Sequence, residues 1–164
     1  MIVKDAMVLI HLARITLLEK SCDYFKEIFI ANKVYEEVLI GREKGYSDVE
    51  IVDSLVQKGK IIVESVGDEK FLKKALMFNI NGGEMESVAL YWKKKADYLA
   101  TDDNNVRKKS ILLNITTIGT PAILLGLYKG NIIEKSKFIS SVNELKKIGW
   151  FSSTVIDKLL MEAK

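Results

Sequence analysis

Short apolar runs alternate along this chain with segments in which apolar residues recur at every third or fourth position, the periods of buried strands and amphipathic helices. The pattern predicts strands over residues 2–4, 27–30, 61–66, 97–100 and 115–118. Val8, Leu9, Leu12 and Ile15 predict a helix over 6–18, with His11 inside it as a packed or half-exposed residue rather than a catalytic one. A second helix is expected over 32–40, broken by Gly41 and Gly45. Ser47 and Glu50 have the spacing of a capping box opening a helix to 58, which Gly59 ends. Helices are also expected over 68–78, 84–95 (after the turn Asn81-Gly82-Gly83) and 104–113. Thr120 and Pro121 read as N-cap and first helical residue of another, stopped at Gly130. Two more close the chain, 136–148 and 152–163. Strands alternating with helices predict an α/β fold with a mostly parallel sheet covered on both faces. No repeat or Pro/Gly/Ser linker interrupts it, so 1–164 is expected to be one domain, with about 132–164 a C-terminal helical extension.

In such a fold ligands collect beyond the carboxyl ends of the strands. The stretch Tyr98-Leu99-Ala100 runs straight into Thr101, Asp102 and Asp103, and three other acidic groups fall near a strand end or helix start: Asp5, Glu36/Glu37, and Glu84 with Glu86. Each has an ordinary use, as helix cap, dipole partner or solvated charge. Together they would converge on one sheet edge. Glu36 and Glu37 flank their helix's apolar stripe equally, so periodicity leaves that pair open. Glu84 lies nearer the stripe of Met85, Val88, Ala89 and Trp92 than Glu86 does and is preferred.

Composition narrows the chemistry. One cysteine and one histidine among 164 residues exclude an internal disulfide and an ordinary N/S zinc site. A metal here must be held by oxygen, which suits Mg²⁺ or Mn²⁺. Crowded carboxylates repel unless a cation or a proton intervenes, and one or two such ions would also activate water for attack on a phosphodiester. The net charge is only +3, but cations cluster at Lys73-Lys74, Lys93-Lys94-Lys95, Arg107-Lys108-Lys109 and Lys146-Lys147. Arranged around an acidic cleft they would attract a polyanion; Lys93, Lys94, Arg107 and Lys108 are the candidate phosphate contacts. No apolar run reaches the ~18 residues of a membrane span, and Lys4 and Asp5 stand where a signal peptide would continue apolar. A cytoplasmic protein is expected.

The order Asp5 after a first strand, Val34-Tyr35-Glu36-Glu37-Val38, Gly83-Glu84-Met85-Glu86, and Thr101-Asp102-Asp103 with Arg107 resembles the PIN-domain nucleases, most of all their VapC-like prokaryotic branch. Ile118-Gly119-Thr120 and Ile148-Gly149-Trp150-Phe151-Ser152 are similar to that branch too, so the resemblance spans nearly the whole chain. It implies a three-layer α/β/α sandwich and an acidic pocket that binds Mg²⁺ or Mn²⁺ to cut RNA. It implies Asp5, Glu37, Glu84 and Asp103 as catalytic metal ligands, with Asp102 an additional ligand or supporting partner. A toxin role, an antitoxin partner and a homodimer are implied as well. The chain departs from the family at Ala6, where Ser or Thr usually follows the first Asp, and at Ile30-Ala31, where Pro commonly precedes the second motif.

Ala6 keeps a second reading open, a non-catalytic module that binds RNA or a protein. A phosphoryl hydrolase with an Asp nucleophile ranks lowest, because it wants a second Asp where Met7 stands.

Overall fold

The computed structural model describes residues 1–164. Five strands, β1 (Ile2–Lys4), β2 (Ile28–Ala31), β3 (Ile62–Glu64), β4 (Tyr98–Ala100) and β5 (Thr117–Ile118), form one sheet in the order β3-β2-β1-β4-β5. Every neighbouring pair is parallel, with Ile2 opposite both Ile28 and Tyr98. β1 and β2 are buried throughout, as a parallel sheet covered on both faces requires. The chain builds outward from β1 through β2 to β3, then returns to the other side of β1 for β4 and β5. The reversal leaves a crevice beyond β1 and β4, the place where open α/β sheets bind ligands.

The helices are α1 (Ala6–Arg14), α2 (Leu18–Phe25), α3 (Asn32–Glu43), α4 (Asp48–Gln57), α5 (Glu69–Met77) and α6 (Gly82–Lys94), followed by α7 (Asn104–Lys108), α8 (Ser110–Leu113), α9 (Thr120–Lys129), α10 (Lys135–Ile148) and α11 (Ser153–Glu162). α6 lies against β1, β2 and β4 with α3 and α5 beside it, while α1, α2 and α9 pack together and α10 and α11 pack on α9. The result is the expected three-layer α/β/α sandwich. One core cluster runs from Ile2 to Ala163 and includes Phe138, Val142, Leu145, Ile156 and Leu159, so the last two helices share the apolar interior. No helix is long and apolar enough to cross a membrane.

Four local expectations need correction. The helix predicted over 6–18 is two helices, because Thr16 adopts a left-handed φ of 61° and turns the chain between Arg14 and Leu18; the apolar period survives because Leu12 and Ile15 before the break and Leu17 and Leu18 after it are all buried. Gly41 does not end α3. It lies inside that helix, where an added Cβ would come within 3.0 Å of Val49, so its role is close approach of α3 to α4. The capping box does not form: Ser47 is itself helical and makes no side-chain cap, and Glu50 pairs with Arg42 at 2.8 Å. The helix expected over 104–113 is two short ones, α7 and α8, meeting at Lys109.

Candidate functional site

The reversal in strand order sets Asp5, directly after β1, beside Thr101-Asp102-Asp103, directly after β4, and the Asp5 N–H donates to the Ala100 carbonyl at 3.0 Å. Asp5 is buried and caps α1, its Oδ1 accepting from the Val8 N–H at 2.9 Å. Asp103 does the same for α7, accepting from Val106 at 2.9 Å. α6 brings Glu84 in its first turn. α3 brings Glu37, whose Oε1 accepts from the Gly83 N–H at 3.1 Å. That contact explains Gly83: a Cβ there would collide with the Glu37 carboxylate and displace it from this position.

These acids feel one another. Burial pushes the Asp5 carboxyl up to about 7, aided by the negative charges of Asp102 and Glu84 and opposed by hydrogen bonds from Thr101 and Val8. Glu84 is also raised, first by burial, then by the charges of Asp103 and Glu37. The four expected ligands are therefore electrostatically linked around one edge. Of the pair that periodicity left open, Glu37 faces this edge, while Glu36 is exposed and engaged with Lys33 and Asn32. Glu86 turns instead to the Lys33 N–H at 3.1 Å.

The expected metal pit is not preformed, because no three Asp, Glu, His or Cys side chains converge on a point where an ion could be held. Each of three acids has one oxygen committed to a backbone N–H: Asp5 to Val8, Glu37 to Gly83 and Asp103 to Val106. The donor set remains all oxygen, and its crowded charge is what a hard divalent cation relieves.

Of the two roles expected for Asp102, additional ligand or supporting partner, its contacts fit the second. Its Oδ1 accepts from the Thr120 N–H at 2.8 Å, and its Oδ2 from the Thr120 hydroxyl at 2.5 Å and from His11 Nδ1 at 2.7 Å. The carboxylate acceptor requires the Nδ1–H form of the imidazole. With both oxygens used, Asp102 ties α1, β4 and the start of α9 together. Thr120 is correspondingly not the N-cap of α9, which is Gly119, and His11 is a buried partner rather than a half-exposed one. Trp150 joins the same group, its indole N–H donating to the Asp102 carbonyl at 3.1 Å. The signals for this cluster were present as Thr120-Pro121, His11 and Gly149-Trp150, but each has a commoner local explanation and nothing in their spacing couples them.

The basic residues also divide. Lys93 and Lys94 lie nine and ten positions beyond Glu84 on α6, about 14 Å along the helix axis. Their ammonium groups are taken by Glu64 at 3.3 and 3.1 Å, and Lys94 also covers the Phe29 ring. They do not flank the acidic edge as expected. Lys74 likewise lies over Trp92 and Lys147 pairs with Glu144. Arg107 and Lys108 stay exposed on α7, next to Asp103, with no carboxylate within ion-pair distance among the salt bridges of the chain.

No curated protein and no solved structure gives a match to the chain. A family model described as DUF3368, PIN domain, matches residues 1–164. With the all-parallel sheet and the acids gathered at its strand-order reversal, that match over the full length means that the chain belongs to the PIN-domain family.

Proposed function

We propose that this protein is a divalent-metal-dependent endoribonuclease of VapC type that hydrolyses RNA phosphodiester bonds, acting as the toxin of a toxin–antitoxin pair. The nuclease character of PIN domains in general supports the reaction class. The observation that carries the reading is the linked set of buried and half-buried acids, with Asp5 pushed up to about 7 and Glu84 raised beside it. Structural carboxylates are normally arranged to avoid that conflict, and perturbed acids gathered in a crevice mark functional sites.

In this reading Asp5, Glu37, Glu84 and Asp103 hold Mg²⁺ or Mn²⁺. When bound, the ion neutralises charge on the phosphodiester and supports in-line attack by water. With the Asp5 carboxyl raised to about 7, a bound cation would favour its ionised form, so metal uptake would be coupled to proton release. The helix caps orient Asp5 and Asp103, and Gly83 orients Glu37. Asp102 positions Asp103 through the backbone while Thr120 and His11 hold it still. Glu84→Gln should abolish Mn²⁺-dependent cleavage of single-stranded RNA and weaken Mn²⁺ uptake in calorimetry while the far-ultraviolet circular dichroism is unchanged; wild-type cleavage by that variant refutes the assignment.

The absence of a preformed ligand cluster, with Ala6 after Asp5, favours one alternative, a PIN-like module that binds RNA or a protein without cutting. Failure of the wild-type protein to take up Mn²⁺ would select it. An antitoxin partner and a homodimer belong to the main reading and rest on the family resemblance alone. Sedimentation of the isolated chain tests the second.

A further inference from the structure

Beside the acidic edge lies a cavity of about 390 Å³ that Asp5, Glu37, Glu84 and Asp103 do not line. Its walls come from α7, the start of α9 and the loop between α10 and α11, and include Asn104, Arg107, Gly119, Trp150, Phe151 and Ser152. The size lies in the range of small-ligand sites, which combine apolar walls with a few convergent polar groups.

Three features make the pocket a built one. Trp150 is 48% exposed, yet its ring cannot swing freely, because the indole N–H is held by the Asp102 carbonyl. Phe151 packs edge-on against His11 at 5.2 Å between ring centres, and His11 is held by Asp102 in turn. The loop carrying both aromatics is fixed at its two ends, by Gly149 at a φ of 76° closing α10 and by the Ser152 side chain capping α11. An exposed aromatic surface is thus presented in a set orientation. Beside this aromatic loop stands Arg107, whose guanidinium lies over Gly119 so closely that a Cβ there would collide with it. Asp102 lies next to it but has both oxygens engaged by Thr120 and His11 and forms no ion pair with Arg107, so the guanidinium N–H groups remain open to an acceptor in the cavity.

An oriented aromatic face and an unpaired guanidinium in one cavity are what a nucleotide requires, since a base stacks on the ring and the cation takes its phosphate. We propose that this cavity is a nucleotide subsite that holds one unstacked base of single-stranded RNA on Trp150, with an adjoining phosphate on Arg107, and so places the neighbouring phosphodiester at the acidic edge. The proposal rests on the nuclease reading for its substrate class. It adds a recognition site that the acids do not supply and a demand for single-stranded RNA, because a base in a duplex is not free to enter.

The test uses an unstructured RNA decamer in EDTA, so that binding is measured without cleavage, followed by Mn²⁺-dependent cleavage of the same RNA. Trp150→Ala should weaken binding about ten-fold, and Arg107→Ala should weaken it and lower the salt slope by about one counterion. Trp150→Phe should keep most of the affinity while removing the quenching of tryptophan emission that RNA causes in the wild type, and it serves as the decisive variant should the alanine form fail to fold. A blunt-ended duplex of the same sequence should bind more weakly than the single strand. Wild-type affinity in both alanine variants, or equal affinity for duplex and single strand, overturns the subsite. If the variants cleave with unchanged KM, the subsite fails and the nuclease reading stands. If RNA binding depends on Trp150 and Arg107 but the wild type never cleaves, the subsite stands and the nuclease reading fails.

Discussion

Replacing Asp5 by Asn should stabilise the protein, and by an amount that depends on pH. Asp5 is buried, and its carboxyl is raised from the ordinary 3.8 to about 7, chiefly by desolvation. The folded state therefore binds this proton more tightly than the unfolded chain does. Between about pH 4 and pH 7 the native protein holds a proton that the unfolded chain has released, so stability falls as pH rises through that window and is level above it. The displacement of about three pH units corresponds to about 4 kcal/mol. Asn caps a helix as well as Asp, so the bond from the Val8 N–H to the side-chain oxygen survives the change. The expected result of urea unfolding in EDTA is near equality of the two proteins at pH 4, with Asp5→Asn ahead by about 4 kcal/mol at pH 8 and an unchanged m value. Saturating Mn²⁺ should narrow the gap at pH 8, since an ion that binds only the folded wild type adds RT ln(1 + [Mn²⁺]/Kd). A variant no more stable than wild type at pH 8, or a gap that does not change with pH, refutes the claim that Asp5 is held at an electrostatic cost.

Lys4 offers the opposite sign in a separate window. Burial lowers its ammonium to about 8, with Ser21 Oγ its hydrogen-bond partner at 2.6 Å, so the unfolded chain binds the extra proton and wild-type stability should rise between pH 8 and 10.5. Lys4→Met should remove that rise and gain about 2 kcal/mol at pH 7 in denaturant titration, after the lost hydrogen bond is subtracted. Asp102→Asn leaves three donors facing an amide that can accept from only some of them, so it should cost about 2 kcal/mol and lower kcat, while Mn²⁺ stoichiometry in calorimetry stays that of wild type. Loss of a metal equivalent in that variant would instead make Asp102 a ligand. Gly83→Ala should cost only about 1 kcal/mol of stability, the worth of the Gly83–Glu37 hydrogen bond, yet weaken Mn²⁺ binding, because the new methyl displaces the Glu37 carboxylate; unchanged calorimetry would remove Glu37 from the ligand set.

The architecture was readable because parallel strands and their covering helices have different apolar periods, and because Asp5 and Asp103 immediately follow strands that turn out to be neighbours across the strand-order reversal. Glu84 was readable from its place at a helix start. The choice between Glu36 and Glu37 was not, since it depends on α6 approaching α3 through a glycine that looked like a turn residue. Thr16 hid a break because its neighbours kept the helical period through a left-handed residue. Lys93 and Lys94 looked like a phosphate-binding run, yet α6 carries them to its far end, against a glutamate on β3. In each case the missing information was a contact between distant segments, which local pattern does not encode.

The same contacts separate ligands from supports within a set of acids that composition treats alike. A carboxylate that caps a helix or accepts one backbone N–H is held in direction by one oxygen and can offer the other; Asp103 and Glu37 are in that state. Asp102 is not, with three donors on its two oxygens. Folding therefore favours Asp at position 103 even without a cation, since it stabilises the start of α7, whereas at position 5 the cap on α1 only offsets part of the cost of burial, and the metal has to draw on what capping leaves over. The ligands are not gathered on one point, and what would draw a cation in is the cost of burying Asp5 and Glu84, to which the neighbouring carboxylates add, since a bound ion relieves both.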